Sequence, residues 1–188
     1  VVTGVQTCAL PISSGVPLNS WNCVTYLDSI QTSVTLLKQV LATMVVVDRS
    51  SLVGYSAEQM YALVEDIESY PRFLPWCGDA VVSVREGTRT VATMHVNFRG
   101  IREQFTTDNV NEPGRMIAME LVSGPFRHLR GHWRFTPLAE DACKIEFRLE
   151  YELSSRLLER LIGPVFQHIA SSFMDAFVRR AEQTHGGA

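Results

Sequence analysis

Apolar and polar residues alternate with a period of two from residue 79 to residue 153, a pattern typical of strands with one buried face. The clearest run is 143–153, where every second residue is apolar or aromatic and the residues between are Lys, Arg or Glu. Turn-forming pairs such as Glu86-Gly87 and Gly124-Pro125 divide the region. The pattern predicts antiparallel strands over residues 79–85, 91–98, 104–110, 116–122, 126–136 and 143–153.

The residues ahead of these strands predict a further strand, a short helix and a loop. β-Branched residues over 45–53 predict a strand that ends before Gly54. Ser56 predicts the N-cap of a helix whose apolar positions follow helical spacing as far as Ile67. The tract 70–78 contains two prolines, and each disfavours a helical conformation in the residue before it, so we expect a loop that carries three aromatic residues.

A long helix is predicted to follow the last strand. It is capped by Ser154 or Ser155 and reaches about Gln183, which is long enough to cross a small domain. Its apolar residues fall in two adjacent rows that make a broad stripe, and Gly163-Pro164 predicts a kink. One row is Leu157, Leu161, Val165, Ile169, Phe173 and Phe177, and the other is Leu158, Ile162, Phe166, Ala170, Met174 and Val178. The order of elements predicts an α+β fold in which a strongly curved antiparallel sheet wraps around this helix.

The first 44 residues differ from the rest of the chain. They carry two charges, Asp28 and Lys38, whereas the remainder carries 16 Lys/Arg and 19 Asp/Glu. Met44 is the first methionine, and the stretch 2–12 resembles the translation of a sequencing-adapter oligonucleotide. We therefore expect 1–43 to be a non-native or disordered extension, with a genuine linker as the alternative. The domain is then expected to span residues 44–185, followed by a tail at 186–188.

Composition and charge narrow the class of protein. The 188 residues are 46% hydrophobic and 20% charged, which is ordinary for a globular domain. The net charge of -3 lacks the general attraction to nucleic acid that a basic chain has, so we expect no DNA partner. The longest mostly apolar stretch, 34–47, is shorter than the roughly 20 residues of a membrane-spanning helix. No basic segment precedes an apolar run as in a signal peptide, so we expect a cytoplasmic protein.

The residues that carry most enzyme chemistry show no catalytic or metal-binding arrangement. The four cysteines are scattered without zinc-site spacing, and we expect reduced thiols. His128 and His132 share a strand face but lie about 13 Å apart, too far to bind one metal ion. Hydrolase, nucleotide-binding and dinucleotide-binding motifs are absent from the sequence. We therefore expect no enzyme activity, no metal and no cofactor.

Bulky apolar residues on the predicted inner faces are the positive signal. A single such residue usually just packs in a core, which is the alternative interpretation. Together, a broad helical stripe laid across a curved sheet of bulky residues favours a cleft between the two. We expect the helix and sheet residues of this set to line the cavity, and Phe73, Leu74 and Trp76 to guard its mouth. The candidate ligand-binding residues are Phe73, Leu74, Trp76, Met94, Phe98, Phe105, Met119, Trp133, Phe135, Phe147, Tyr151, Phe166, Ile169, Phe173, Met174 and Phe177.

Several tracts resemble one protein family. They are Tyr70-Pro71-Arg72-Phe73-Leu74-Pro75-Trp76-Cys77, Gly124-Pro125-Phe126, Gly131-His132-Trp133-Arg134-Phe135, Ser154-Ser155-Arg156-Leu157-Leu158, Gly163-Pro164-Val165-Phe166 and residues 173–182. These tracts are similar to the coenzyme-Q-binding START-like family of the SRPBCC or helix-grip superfamily. Its bacterial members are often named ribosome-association toxins of the RatA type. The similarity extends over residues 44–183 and implies the helix-grip fold, in which a sheet grips a long C-terminal helix around a lipid cavity.

The resemblance implies two different functions. The first is binding of ubiquinone or a similar isoprenoid lipid in support of cellular respiration, without catalysis, and with peripheral contact at the inner membrane. The alternative is a toxin of a toxin–antitoxin pair, which binds the large ribosomal subunit and blocks subunit joining. Ribosome binding needs exposed cations, and the candidates on the strands lie among several glutamates, so we rank lipid binding first. The candidate cations are Arg127, Arg130, Arg134, Lys144 and Arg148.

Overall fold

The computed structural model describes residues 44–186. Their fold is the predicted α+β arrangement, a seven-stranded antiparallel sheet with a long C-terminal helix packed on it. The elements are β1 (Val45–Val53), α1 (Ala57–Glu65), a 3-10 helix (Ile67–Arg72), β2 (Cys77–Glu86), β3 (Arg89–Phe98), β4 (Ile101–Glu112), β5 (Met116–Ser123), β6 (Phe126–Ala139), β7 (Ala142–Leu153) and α2 (Arg156–His185). The prediction for 1–43 lies outside the described residues.

The sheet has the order β1-β7-β6-β5-β4-β3-β2. Strands β2 to β6 each pair with the next strand along the chain, and the last strand, β7, also pairs with β1 along the whole length of β1. The curved sheet therefore has β1 and β2 at its two edges. Its inner face and α2 bury one continuous apolar core, which α1 and the 3-10 helix cover at one end.

The segment between β1 and β2 differs in part from the prediction. Ser56 is the N-cap of α1 as expected, and its hydroxyl accepts a hydrogen bond from Gln59 N. The α-helix ends at Glu65 instead of Ile67, because Asp66 leaves the helical conformation at ψ 64°. The predicted loop begins as a 3-10 helix, with Pro71 inside it. Proline fits there because its fixed φ is also the φ of a 3-10 helix.

The connection between the strands predicted over 104–110 and 116–122 is shorter in the structure. Asn111 and Glu112 continue β4, where the Asn111 amide donates a hydrogen bond to the Thr88 carbonyl over 2.7 Å. Gly114, at φ +69°, takes the left-handed conformation after Pro113. Cross-strand pairing thus recruits two polar residues that a local turn signal assigned to the loop.

Two glycines in the tracts that resemble the family lie where a side chain would clash. A Cβ atom on Gly131 of β6 would lie 2.6 Å from the Arg148 carbonyl oxygen of β7. Gly124, between β5 and β6, has φ +149°, and a Cβ there would lie 2.6 Å from Phe105 Cβ. Both positions therefore need glycine for backbone approach, and Gly124 also for its backbone conformation.

Helix α2 buries only part of the predicted stripe. Ser155 is its N-cap, accepting a hydrogen bond from Leu158 N, and the helix continues through Pro164 to His185. From Ile162 onward the stripe is buried apart from the half-buried Val165 and Val178, whereas Leu157 and Leu161 are 67% and 62% exposed. None of the helices among residues 44–186 combines the length and the apolar character that spanning a membrane requires.

Candidate functional site

An internal cavity lies between the inner face of the sheet and α2. The centres of water-sized spheres can occupy about 70 Å³ of it, several times the space that one water needs. The lining side chains come from both helical segments ahead of β2, from β3 to β7 and from α2. They are Val64, Glu65, Ile67, Tyr70, Trp76, Thr90, Ala92, Met94, Phe105, Thr107, Asn109, Asn111, Ile117, Met119, Leu129, Trp133, Phe147, Leu149, Phe166, Ile169, Ala170 and Phe173.

Aromatic rings form the most closely packed part of the wall. Phe173 of α2 stacks on Trp76 with ring centroids 5.3 Å apart, and Phe147 of β7 lies 5.4 Å from the same Phe173 ring. Trp133 of β6 lies 4.6 Å from Phe147, so the three elements meet through their rings. Ring pairs at these distances and tilts add stabilisation beyond simple burial, which gives the cavity a firm wall.

The structure brings nine of the candidate residues together on the cavity wall. They are Trp76, Met94, Phe105, Met119, Trp133, Phe147, Phe166, Ile169 and Phe173. Their contact with a ligand stays a prediction. The alternation along the strands and the helical rows identified their inward orientation, because both periods follow directly from backbone geometry.

Of the three residues expected at the mouth, Trp76 lines the cavity, whereas Phe73 and Leu74 do not. Leu74 is fully buried, and Trp76 is a buried part of the wall. Phe73 packs edge-on against Phe177 at 5.1 Å, and the Arg180 guanidinium lies over its ring. The reason is the 3-10 helix, which folds this tract onto the C-terminal half of α2 instead of leaving it as an open loop.

The other candidates pack in the surrounding core, outside the cavity lining. Phe135 lies against Tyr61, Phe98 stacks on His168, and Tyr151, Met174 and Phe177 are buried among neighbouring side chains. Tyr151 illustrates why a candidate can lie outside the lining. Its ring centroid lies 5.0 Å from that of Phe166. Phe166 itself lines the cavity, so it fills the space that would otherwise extend to Tyr151.

Four polar residues of the wall were missed by the sequence analysis. Thr90, Thr107, Asn109 and Asn111 are all buried on the inner faces of β3 and β4. The signal was available, because Phe105 was correctly assigned to the inner face and 107, 109 and 111 follow it at a period of two. Only apolar and aromatic residues at inward positions were predicted to line the cavity.

The cavity has little charge. Glu65 is the one carboxylate among its lining residues, and that lining includes no Lys, Arg, His or Cys. The Tyr70 hydroxyl donates a hydrogen bond to the Val64 carbonyl over 2.6 Å, and burial raises the pKa of Tyr70 far above its usual range. Next to the cavity, burial and the Glu65 carboxylate raise the pKa of Tyr61 to about 12, although the Tyr61 hydroxyl makes no hydrogen bond within 3.5 Å.

A narrow gap lies beside the cavity, next to α2, and the centres of water-sized spheres can occupy only about 10 Å³ of it. It shares Phe105, Phe166 and Ile169 with the cavity lining. Its other side chains come from the ends of β3 and β4, the turn before β6 and the first half of α2. They are Val96, Ile101, Glu103, Pro125, Ile162 and Val165. Phe105, Phe166 and Ile169 therefore form a wall that is common to the gap and the cavity.

Most of the candidate ribosome-binding cations have carboxylate partners on the outer face of the sheet. Arg130 and Arg148 both contact Glu150, and their hydrogen bonds hold the pKa of Glu150 below its usual range. Arg127 pairs with Glu152 at 2.8 Å, and Lys144 with Glu146 at 2.7 Å. Arg134 makes no ion pair within residues 44–186. The charges on this face therefore largely cancel.

The cysteines of the described chain are not among the residues that line the cavity. Cys77 and Cys143 are buried and reduced, as expected, and burial raises the pKa of Cys77 to about 11. Within 44–186, no three His, Cys, Asp or Glu side chains are grouped so that they could bind a metal ion. Cys8 and Cys23 lie outside the described residues.

Most of this domain matches a known protein family. The family described as "Polyketide cyclase / dehydrase and lipid transport" matches residues 53–178. A protein from Vibrio cholerae named "Ribosome association toxin RatA" is 49% identical over 140 residues, which are 74% of this chain and 97% of that protein. "Coenzyme Q-binding protein COQ10 homolog B, mitochondrial" from Xenopus laevis is 30% identical over 73% of this chain and 58% of its own length.

Solved structures share the same fold. An aromatase/cyclase from Streptomyces sp. R1128 superposes with a TM-score of 0.67 at 15% identity, over 77% of this chain and 99% of that protein. A START superfamily protein from Mycobacterium smegmatis superposes with a TM-score of 0.59 at 22% identity, over 73% and 97% of the two chains. These likenesses confirm the helix-grip fold, and the family and its relatives confirm the resemblance seen in the sequence.

Proposed function

Because the chain belongs to the family of polyketide cyclases, dehydrases and lipid-transport proteins, within the START-like superfamily, we propose that it binds ubiquinone or a similar isoprenoid lipid. The lipid occupies the internal cavity and is carried in support of respiration without a chemical step. The observation that carries this proposal is the cavity itself, which is enclosed by α2 and five strands and has mostly apolar walls.

The dimensions of the cavity determine how such a lipid would bind. The volume that the centres of water-sized spheres can occupy, about 70 Å³, is too small for a long isoprenoid chain, so the tail must lie elsewhere. The gap beside Phe105, Phe166 and Ile169 is lined mainly by apolar side chains, and its space of about 10 Å³ would admit a tail once these side chains move apart. We propose that the ring enters the cavity while the tail follows this gap along α2.

A binding role fits the cavity better than a catalytic one. The Tyr70 hydroxyl is held by the Val64 carbonyl, and its raised pKa makes it a poor proton donor at neutral pH. Glu65 has no basic side chain beside it in the lining set to act with it on a substrate. The aromatase/cyclase is only 15% identical, so its likeness speaks for the fold alone.

Contact with a membrane surface would let the lipid enter. Leu157 and Leu161 are exposed on the first turns of α2, ahead of Ile162 and Val165 of the gap, and Arg156 and Arg160 flank them. Exposed apolar residues next to cations are the combination by which peripheral helices bind anionic lipid surfaces. We therefore propose a cytoplasmic protein that touches the inner membrane through this end of α2.

Organic extraction of the purified protein followed by lipid mass spectrometry tests the proposal. We expect ubiquinone or another isoprenoid quinone, with a molar ratio to protein that approaches one. Refilling the extracted protein with a short-tailed ubiquinone should quench the fluorescence of Trp76 and Trp133, since both indoles line the cavity. Absence of a copurified lipid together with no quenching would contradict quinone binding.

Ribosome association is a second candidate function. It is supported by the Vibrio cholerae protein that bears that name and is 49% identical over almost its full length. The outer sheet face offers it few free cations, because four of the five candidates are paired with carboxylates. Co-sedimentation with ribosomal subunits tests it, and splitting of joined subunits without any bound lipid would make this the primary function.

A further inference from the structure

The cavity has a polar end on two neighbouring strands, formed by Thr90, Thr107, Asn109 and Asn111. Asn109 pairs directly with Thr90 across the β3–β4 ladder, so the polar side chains cluster on one part of the inner face. Asn111 Nδ2 donates a hydrogen bond to Thr90 Oγ1 over 2.9 Å. Asn109 is different, since it is only 6% exposed and its Oδ1 has no hydrogen-bond partner in the part of the chain that the structure describes.

An unpartnered amide oxygen in a protein interior is unfavourable, because the group has lost its hydrogen bonds to water without gaining others. Asn109 lines the cavity, so a bound molecule can supply the missing partner. A side-chain amide both accepts and donates hydrogen bonds. Asn109 Oδ1 can therefore accept from a hydroxyl of the ligand, and a 180° rotation of the side-chain amide brings Nδ2 to the same place, where it can donate to a carbonyl.

The charges of the lining restrict the ligand further. Glu65 is the ionisable carboxylate of this cavity, and the lining set includes no Lys, Arg or His. A carboxylate or phosphate head would enter without a counter-charge and would face Glu65, at a high cost in free energy. The polar end is therefore suited to a neutral head group that carries oxygen atoms.

We propose that Asn109, with Thr107 beside it, binds the oxygen-bearing ring of a neutral amphipathic ligand and thereby sets its orientation. This rests on the proposed function, because it assigns the two ends of the same cavity. The β3–β4 register places Met94 and Phe105 beyond Ala92 and Thr107, on the side of the gap. The ring thus lies at Asn109, and the apolar tail leaves past Phe105. A quinone and its quinol both have the required chemistry.

The test compares two ligands and three variants by calorimetric titration. The ligands are a short-tailed ubiquinone and an isoprenoid hydrocarbon of the same tail length that lacks ring oxygens. We expect Asn109→Leu to bind the quinone about tenfold more weakly, equivalent to about 1.4 kcal/mol, and the hydrocarbon as tightly as the original protein. Asn97→Leu, the same change at an exposed position on β3, should alter neither affinity.

Thr107→Val keeps the side-chain shape and serves if Asn109→Leu lowers the melting temperature strongly. It should also weaken quinone binding alone, by a few-fold. Unchanged quinone affinity in both variants, or an equal loss of both ligands, would overturn the polar-end assignment. If the original protein binds neither ligand, the proposed function itself fails. If it binds both equally well, only the assignment of Asn109 fails.

Discussion

The ring of Phe173 stacks on the indole of Trp76, with centroids 5.3 Å apart and ring planes 28° from parallel. This pair joins the middle of α2 to the tract that follows the 3-10 helix, two segments almost a hundred residues apart in the chain. Trp133 and Phe147 approach the same Phe173 ring from the sheet, at 5.9 Å and 5.4 Å. Phe173 is therefore both a wall of the cavity and the point where three parts of the core meet.

Replacement of Phe173 should weaken quinone binding and also lower the stability of the fold. Phe173→Leu removes the ring that contacts Trp76, Trp133 and Phe147, so we expect a loss of about 1–2 kcal/mol in the free energy of unfolding. The variant should still fold and should bind quinone more weakly. Urea unfolding and quinone titration measure the two effects. Phe173→Asp should lose binding and most stability, because it buries an unpaired charge.

The backbones of β6 and β7 approach closely at Gly131, and this leads to a prediction about stability that is independent of any ligand. Gly131→Ala places a Cβ 2.6 Å from the Arg148 carbonyl oxygen, which is backbone and cannot rotate away. We expect the strands to move apart and the free energy of unfolding to fall by about 2 kcal/mol, as for other overpacked sites. Gly54→Ala is the matched control, since nothing lies within 4 Å of its added Cβ. Equal urea midpoints for the two variants would contradict this explanation.

High pH should destabilise the domain through its buried tyrosines. Burial is the largest cause that raises the pKa of Tyr61 and Tyr151 from the usual 10.0 to about 12. The folded state thus holds these protons more tightly than the unfolded state. The resulting stabilisation is fully present below pH 10 and is lost as the pH rises from about 10 to about 12. Urea midpoints measured across this range should fall as tyrosinate absorbance rises.

The phenylalanine variant of Tyr61 provides a check on that interpretation. The Tyr61 hydroxyl makes no hydrogen bond in the described residues, so Tyr61→Phe should cost little stability at pH 7. It should also reduce the loss between pH 10 and 12, because one of the shifted groups is gone. A variant as sensitive to alkali as the original protein would exclude Tyr61 as a cause.

Substitutions in the first turns of α2 should weaken binding to membranes. Leu157→Ser combined with Leu161→Ser should lower binding to vesicles of anionic phospholipid severalfold, because both are exposed apolar side chains beside Arg156 and Arg160. Leu52→Ser is the control, since Leu52 is 71% exposed on β1 at an edge of the sheet. Vesicle flotation measures binding. An equal effect of the control would indicate nonspecific adsorption.

Strand periodicity predicted the fold well because it reports directly on which face of a strand is buried. The last strand was expected over 143–153 and spans Ala142–Leu153. Periodicity does not report which inward residue meets empty space. Leu149 and Tyr151 both point inward from β7, yet only Leu149 lines the cavity, because Phe166 of α2 packs against Tyr151. That distinction depends on where two distant elements meet.

The polar part of the site was missed for a different reason. A polar residue at an inward strand position, such as Asn109, contradicts the expected apolar pattern and was assigned no role. Its meaning depends on whether a partner lies nearby, and only the packed structure shows that Asn111 and Thr90 bond to each other. Polar residues that interrupt an otherwise apolar inner face are therefore the positions to inspect first for ligand contacts.

Filling the cavity should separate the two candidate functions in one experiment. Ala170 is a small, buried residue of α2 that lines the cavity, so Ala170→Leu adds three carbon atoms where there is open space. We expect the melting temperature to stay unchanged or rise, because the added carbons fill a void instead of displacing packed atoms. Quinone should no longer copurify with the variant or quench its tryptophan fluorescence. Ala62→Leu, on the exposed side of α1, is the matched control and should retain the lipid.

If the Ala170→Leu variant still co-sediments with ribosomal subunits, that activity belongs to the outer surface and does not need a lipid. If both activities are lost while the fold is intact, ribosome binding depends on the filled cavity. Retention of quinone by Ala170→Leu would place the lipid outside this cavity and contradict the proposed function.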